Sequence, residues 1–92
     1  MNQIKGRLVQ VLETKTGMKK DGSGSWYNAK ILLETFGQYP KSVVVTIWGN
    51  DAMAVNDIEL GTTLFVDVSP ESKESNGRWY TELIAVKVTK EA

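Results

Sequence analysis

Asn76-Gly77, set between ESKES and RWYTELIAVKV in residues 71–88, constrains this chain more than any other stretch. A two-residue hairpin of type I′ needs positive φ at both central residues. Asn tolerates that conformation and Gly takes it freely. The pair therefore predicts two antiparallel strands meeting at positions 76 and 77. It also sets a cation and two large aromatics, Arg78, Trp79 and Tyr80, just past the tip. A cation beside aromatic rings on a projecting hairpin fits a nucleic-acid contact, and it fits core packing equally well.

The rest of the chain supplies partners for that hairpin. Residues 3–12, QIKGRLVQVL, read as a first strand, with Ile4, Leu8 and Leu12 near one face and Val9 and Val11 on the other. Gly6 inside it predicts a bulge or a close backbone approach. Residues 26–37 read as a second strand, in which Tyr27, Ala29, Ile31 and Leu33 form the core set. Trp26, Asn28, Lys30 and Leu32 alternate with them on the opposite surface. Residues 42–48, SVVVTIW, are the most β-prone segment, with Val43, Val45 and Ile47 inward and Thr46 and Trp48 outward. Residues 62–69 give a fourth strand, with Leu64, Val66 and Val68 on one side. Residues 78–89 give the fifth.

That fifth strand breaks simple alternation. Ile84, Val86 and Val88 share the parity of Tyr80, yet Leu83 and Ala85 are apolar too. A strand buried on both faces, or a bulged one, accounts for this. Tyr80 and Tyr27 are assigned to the core by their parity with aliphatics. One helix is expected, within residues 49–60, capped by Asn50 or Asp51. Met53, Val55, Ile58 and Leu60 would then close the bottom of the core. Residues 13–25, ETKTGMKKDGSGS, read as a loop, either a solvated hairpin loop or a basic loop closing over a ligand.

Composition removes whole classes of chemistry. The chain has no His and no Cys. It lacks the commonest general base, the commonest transition-metal ligand and any thiolate site. No carboxylate dyad is evident, so no catalytic residue, metal or cofactor is assigned and an enzyme is disfavoured. The N-terminus has no signal-peptide pattern and no apolar run nears the roughly 18 residues of a membrane helix. A soluble, cytoplasmic protein that binds no membrane is expected. Ninety-two residues fit one domain spanning 1–92. The formal net charge is zero. Residues 1–48 nevertheless hold seven bases and three acids, against four bases and eight acids in 49–92.

Five strands with a short helix between the third and fourth match an all-β architecture, the five-stranded Greek-key barrel called the OB-fold. That fold meets ligands on strands 2 and 3, flanked by the 1–2 and 4–5 loops. The candidate nucleic-acid-binding residues fall on those parts. They are Trp26, Asn28 and Lys30 on strand 2 and Trp48 on strand 3. Lys19 and Lys20 stand in the first loop, beside Lys15, and Lys73, Arg78 and Trp79 on the last hairpin. Aromatic faces stack on any base and a basic groove tracks phosphates. Trp26, Trp48 and Trp79 each have a second reading as barrel packing, favoured for Trp48 beside Gly49.

Three segments carry a resemblance. They are Glu34-Thr35 with Gly37-Gln38-Tyr39-Pro40-Lys41, then Ile47-Trp48-Gly49, then Glu71-Ser72 with Asn76-Gly77-Arg78-Trp79-Tyr80-Thr81. With them, nearly the whole chain resembles a small bacterial OB-fold family of unknown function, related to single-stranded-DNA-binding and primosomal replication proteins. The resemblance implies an OB-fold and a role at single-stranded DNA, and implies no enzymatic activity. The expected function is non-catalytic binding of single-stranded nucleic acid, DNA before RNA, weak and salt-sensitive. The alternative is a protein-interaction or oligomerisation module using the same face. Expected partners are then a second copy, in a dimer or tetramer, or replication and repair proteins.

Overall fold

A computed structural model describes residues 2–91. Five strands and one short helix follow in chain order: β1 Asn2–Met18, β2 Ser25–Thr35, β3 Ser42–Trp48, α1 Asn50–Ala54, β4 Thr63–Ser75 and β5 Arg78–Lys90. A 3-10 turn, Val55–Asp57, extends α1. The strands close in the order β1-β2-β3-β5-β4. All pairs are antiparallel except β3 with β5, which meet in parallel at Thr46 and Ile84. This is the expected all-β, five-stranded barrel with its helix between β3 and β4.

The core follows the period-2 signal where that signal is clean. Leu8, Ala29, Ile31, Leu33, Val45, Ile47, Leu64, Val66 and Val68 are buried, and Ala52 and Val55 plug one end. Tyr27 packs partly against them. Its hydroxyl accepts a hydrogen bond from the Asn56 side-chain amide at 2.9 Å. Gly6 is a close approach, since a Cβ there would sit 3.1 Å from the Glu34 carbonyl oxygen.

Bulges overturn the pattern elsewhere. The β1–β2 register shifts between Leu8 and Gln10, and again between Val11 and Glu13. Each extra residue inverts the facing of the strand beyond it. Val9 and Leu12 are exposed, and Val11 takes the inward place expected of Leu12. The β4–β5 ladder pairs Asp67 with Lys87 but Val68 with Ala85, which leaves Val86 as the extra residue. Val88, Ala85 and Leu83 consequently all pack on the core, while Val86 is exposed. Parity counted through this bulge misplaces Tyr80, which is exposed and not inward.

Two further expectations are corrected. The first strand does not end at residue 12. It runs on to Met18, pairing Glu13 with Lys30, Lys15 with Asn28 and Gly17 with Trp26. Ladder bonds to a β-prone partner override the polar, Gly-containing composition. Only residues 19–24 form a turn. Gly49 is the N-cap of α1, and neither Asn50 nor Asp51 supplies a side-chain cap. Met53 and Leu60 are exposed, not core plugs.

The long hairpins reach past the barrel, and the molecule measures 46 × 35 × 23 Å. Its radius of gyration is 14.1 Å, against about 12 Å for a compact domain of this length.

Candidate nucleic-acid interface

Directly opposed residues in an antiparallel ladder share a face. The registers therefore lay out the outer surface of the barrel row by row. Gly17 lies beside Trp26, and in the next row Lys15 lies beside Asn28, which pairs with Trp48. Glu13 lies beside Lys30, which pairs with Thr46. The two tryptophans are diagonal neighbours, with ring centroids 5.9 Å apart and planes tilted by 57°. This spacing suits an edge-inclined aromatic pair. Trp48 keeps 49% of its surface exposed, so the packing role favoured for it is not what the strand produces.

Gly17 is what lets the Trp26 ring lie down. A Cβ at Gly17 would fall 2.6 Å from Cζ2 of the indole, well inside contact distance. Thr16 holds the adjacent backbone, its hydroxyl donating to the Trp26 carbonyl at 2.9 Å. Thr46, expected to face outward on this surface, is buried.

The Asn76-Gly77 turn forms as its sequence requires, with φ of 51° and 79°. Ser75 pairs with Arg78 across it, then Lys73 with Tyr80 and Glu71 with Glu82. These three pairs share one face of the hairpin. Lys30 Nζ on β2 reaches Glu82 Oε1 at 3.9 Å, which joins that face to the outer surface of β2. A cavity of about 580 Å³ lies there, lined by Lys30, Lys73, Ser75, Tyr80, Thr81 and Glu82. Trp79 alternates to the opposite face with Glu74, and is 70% exposed. Tyr80 therefore holds the position on this surface that sequence reasoning gave to Trp79. Counting back from the turn, as the cross-strand partner of Lys73, would have found it.

The charge on this surface is partly self-neutralised. Lys15 Nζ lies 3.1 Å from Glu13 Oε1 on the same strand. Lys30 is held by Glu82. Lys19, Lys20, Lys73 and Arg78 are in no ion pair among the described residues. In the turn, the Ser23 backbone N–H donates to the Asp21 carboxylate at 2.9 Å. That bond holds the Asp21 carboxyl below its ordinary pKa. Lys19 N–H donates to the Gly24 carbonyl at 2.8 Å and closes the turn. Of the nine candidates, Trp26, Asn28, Lys30 and Trp48 stand on the barrel face and Lys73 and Arg78 on the joined hairpin face. Lys19 and Lys20 stand on the turn, and Trp79 is turned away. Among the described residues no group of three metal-ligating side chains converges, and no helix is long and apolar enough to cross a membrane.

Solved structures similar to this chain include single-stranded-DNA-binding proteins. The mitochondrial single-stranded DNA binding protein Rim1 of S. cerevisiae aligns with a TM-score of 0.69 and 11% identity, over 97% of this chain and 91% of that one. The SSB domain of a Synechococcus sp. protein aligns with a TM-score of 0.58 and 21% identity, over 96% and 93%. A deletion mutant of the Thermus aquaticus single-stranded DNA binding protein aligns at 0.67 and 16%, over all of this chain and 42% of that one. At these identities the likeness shows the fold alone: the chain is an OB-fold domain. By sequence it belongs to the family described as Domain of unknown function (DUF3127), whose profile matches residues 3–89. A comparison with curated proteins finds no match.

Proposed function

We propose that this chain binds single-stranded nucleic acid, single-stranded DNA foremost, without catalysis. The observation that carries the reading is the Trp26–Trp48 pair on the outer face of β2 and β3, flanked by the Lys19–Lys20 turn and by the Lys73–Arg78–Tyr80 face of the hairpin. Bases stack on the rings, each contributing about 1–3 kcal/mol, and phosphates run past the lysines. The fold shared with single-stranded-DNA-binding proteins supports the same reading. Trp79, on the far side of the hairpin, is left out of the binding set, and Tyr80 and Lys15 join it.

Titrating oligo-dT against about 20 µM protein at low salt tests this. Tryptophan fluorescence is expected to fall saturably. The absence of any quenching at tens of micromolar would defeat it.

A second reading has its own observation. The bulge residues Val9 and Leu12, together with Val44, leave apolar side chains exposed on the barrel. Such a patch suits a contact with another protein or a second copy. Light scattering at high concentration decides: a strict monomer excludes self-association.

A further inference from the structure

We propose that the cleft between the Lys19 turn and α1 is a seat for one nucleotide unit, a single base carrying a phosphate. This rests on the strand-binding reading, and it assigns one point on that surface a pocket of its own. The cleft has a volume of about 320 Å³ and is bounded by Lys19, Trp26, Tyr27, Trp48, Asn50 and Met53. Small-molecule sites span about 300–1,000 Å³, so this cleft takes one nucleotide and no more.

Geometry decides how a base enters. A base sandwiched between two rings needs about 7 Å between parallel planes, twice the roughly 3.4 Å rise of a stacked strand. The indoles are 5.9 Å apart and tilted by 57°, so a base cannot insert between them. It stacks on the open face of Trp48 instead. Met53 stands in the same cleft, 56% exposed. Its flexible, polarizable thioether adapts to an aromatic surface. Pockets that capture an unstacked base combine stacking on aromatic or apolar side chains with polar groups for the base edge. Asn50 is the polar group here, and its side-chain amide makes no hydrogen bond among the described residues. Lys19, in no ion pair among the described residues, is placed for the phosphate.

Two sources could fill this seat, a free nucleotide or a nucleotide of the bound strand. The test monitors the indole N–H signals of Trp26 and Trp48 and the Met53 methyl by NMR, with dTMP, thymidine and oligo-dT added separately. Added dTMP is expected to move all three signals saturably in the millimolar range, and thymidine to bind several-fold more weakly. In Lys19→Ala that difference should vanish. In Met53→Glu the dTMP response should be lost while amide dispersion reports an intact fold. Displacement of dTMP by oligo-dT upholds the seat and assigns it to the strand. Simultaneous occupancy upholds it and assigns it to a free nucleotide. Signals that respond to oligo-dT but ignore dTMP overturn the seat and leave strand binding standing. If neither ligand moves them, both readings fall. A response to dTMP alone keeps the seat and defeats strand binding.

Discussion

Gly17 shapes the interface while presenting no side chain to a ligand. It is a strand residue whose missing Cβ is filled by the Trp26 indole. Gly17→Ala is expected to swing that ring outward and misalign the Trp26–Trp48 pair. Oligo-dT affinity should fall about fivefold, roughly 1 kcal/mol, a fraction of one stacked base. Thermal stability should barely change, because the ring is not in the core. A red-shifted tryptophan emission with an unchanged melting temperature checks this, and unchanged affinity would refute it. Glu82 works in the other direction. It faces Glu71 across the ladder and occupies Lys30 at 3.9 Å. Like charges directly opposed destabilise a strand pair, and an exposed ion pair contributes about 0–1 kcal/mol. Glu82→Gln should therefore free Lys30 for phosphate and tighten oligo-dT binding by about two- to fivefold at low salt. The gain should vanish near 0.5 M salt, where the Debye length falls to roughly 4 Å. Equal gains at both salt concentrations would show that the change is not electrostatic.

Among the elements, β3 is readable from sequence as a strand, because SVVVTIW is rich in β-branched residues, and its inward Val45 and Ile47 are placed correctly, although Thr46 is buried on the other side as well. The Asn76-Gly77 turn is readable too, since positive φ at two successive positions admits few residue types. The bulges are legible only in part. A bulge adds one residue to one strand, and nothing in Val9 or Leu12 marks it locally. In β5 the apolar Leu83 and Ala85 beside Ile84, Val86 and Val88 point to a bulge or to burial on both faces, without saying which residue is the extra one. The shift is set by how two strands must twist to close a barrel. Four sequence assignments fail for that reason, Val11, Leu12, Val86 and Tyr80, and Tyr80 matters because it changes which aromatic faces the ligand surface. The reach of β1 past residue 12 is hidden differently, by a composition of Thr, Lys and Gly that a loop shares. Gly77→Val tests the hairpin as an element. A β-branched residue at φ 79° is strained by about 1–3 kcal/mol. Amide exchange should rise across residues 71–83 while β2 and β3 stay protected, and oligo-dT binding should weaken as Lys73, Arg78 and Tyr80 lose their common face. Loss of protection throughout the barrel would show that the hairpin is not an independent unit.

For the molecule as a whole, zero net charge conceals a local excess of cations, six along the proposed path from Lys15 to Arg78, two of them held by carboxylates. Single-strand binding loses about 0.7 in log affinity per tenfold salt for each phosphate neutralised. Four free cations predict a slope of about −3, and six would give about −4. A flat salt dependence would remove the phosphate contacts from the account. The shape of the barrel has a separate consequence, in time instead of affinity. Every seam but one is an antiparallel ladder, whereas β3 and β5 meet in parallel at Thr46 and Ile84. The β1–β2 and β4–β5 ladders are local in sequence, and loop-closure entropy favours local pairing early. The parallel seam joins segments far apart in the chain, as does the β1–β4 ladder, and both are expected to form late. Truncating Ile84 to Ala should accordingly speed unfolding and leave the folding rate nearly unchanged, a φ-value close to zero. A value near one in a denaturant chevron would reverse that order, with the seam as the nucleus and the hairpins folding onto it.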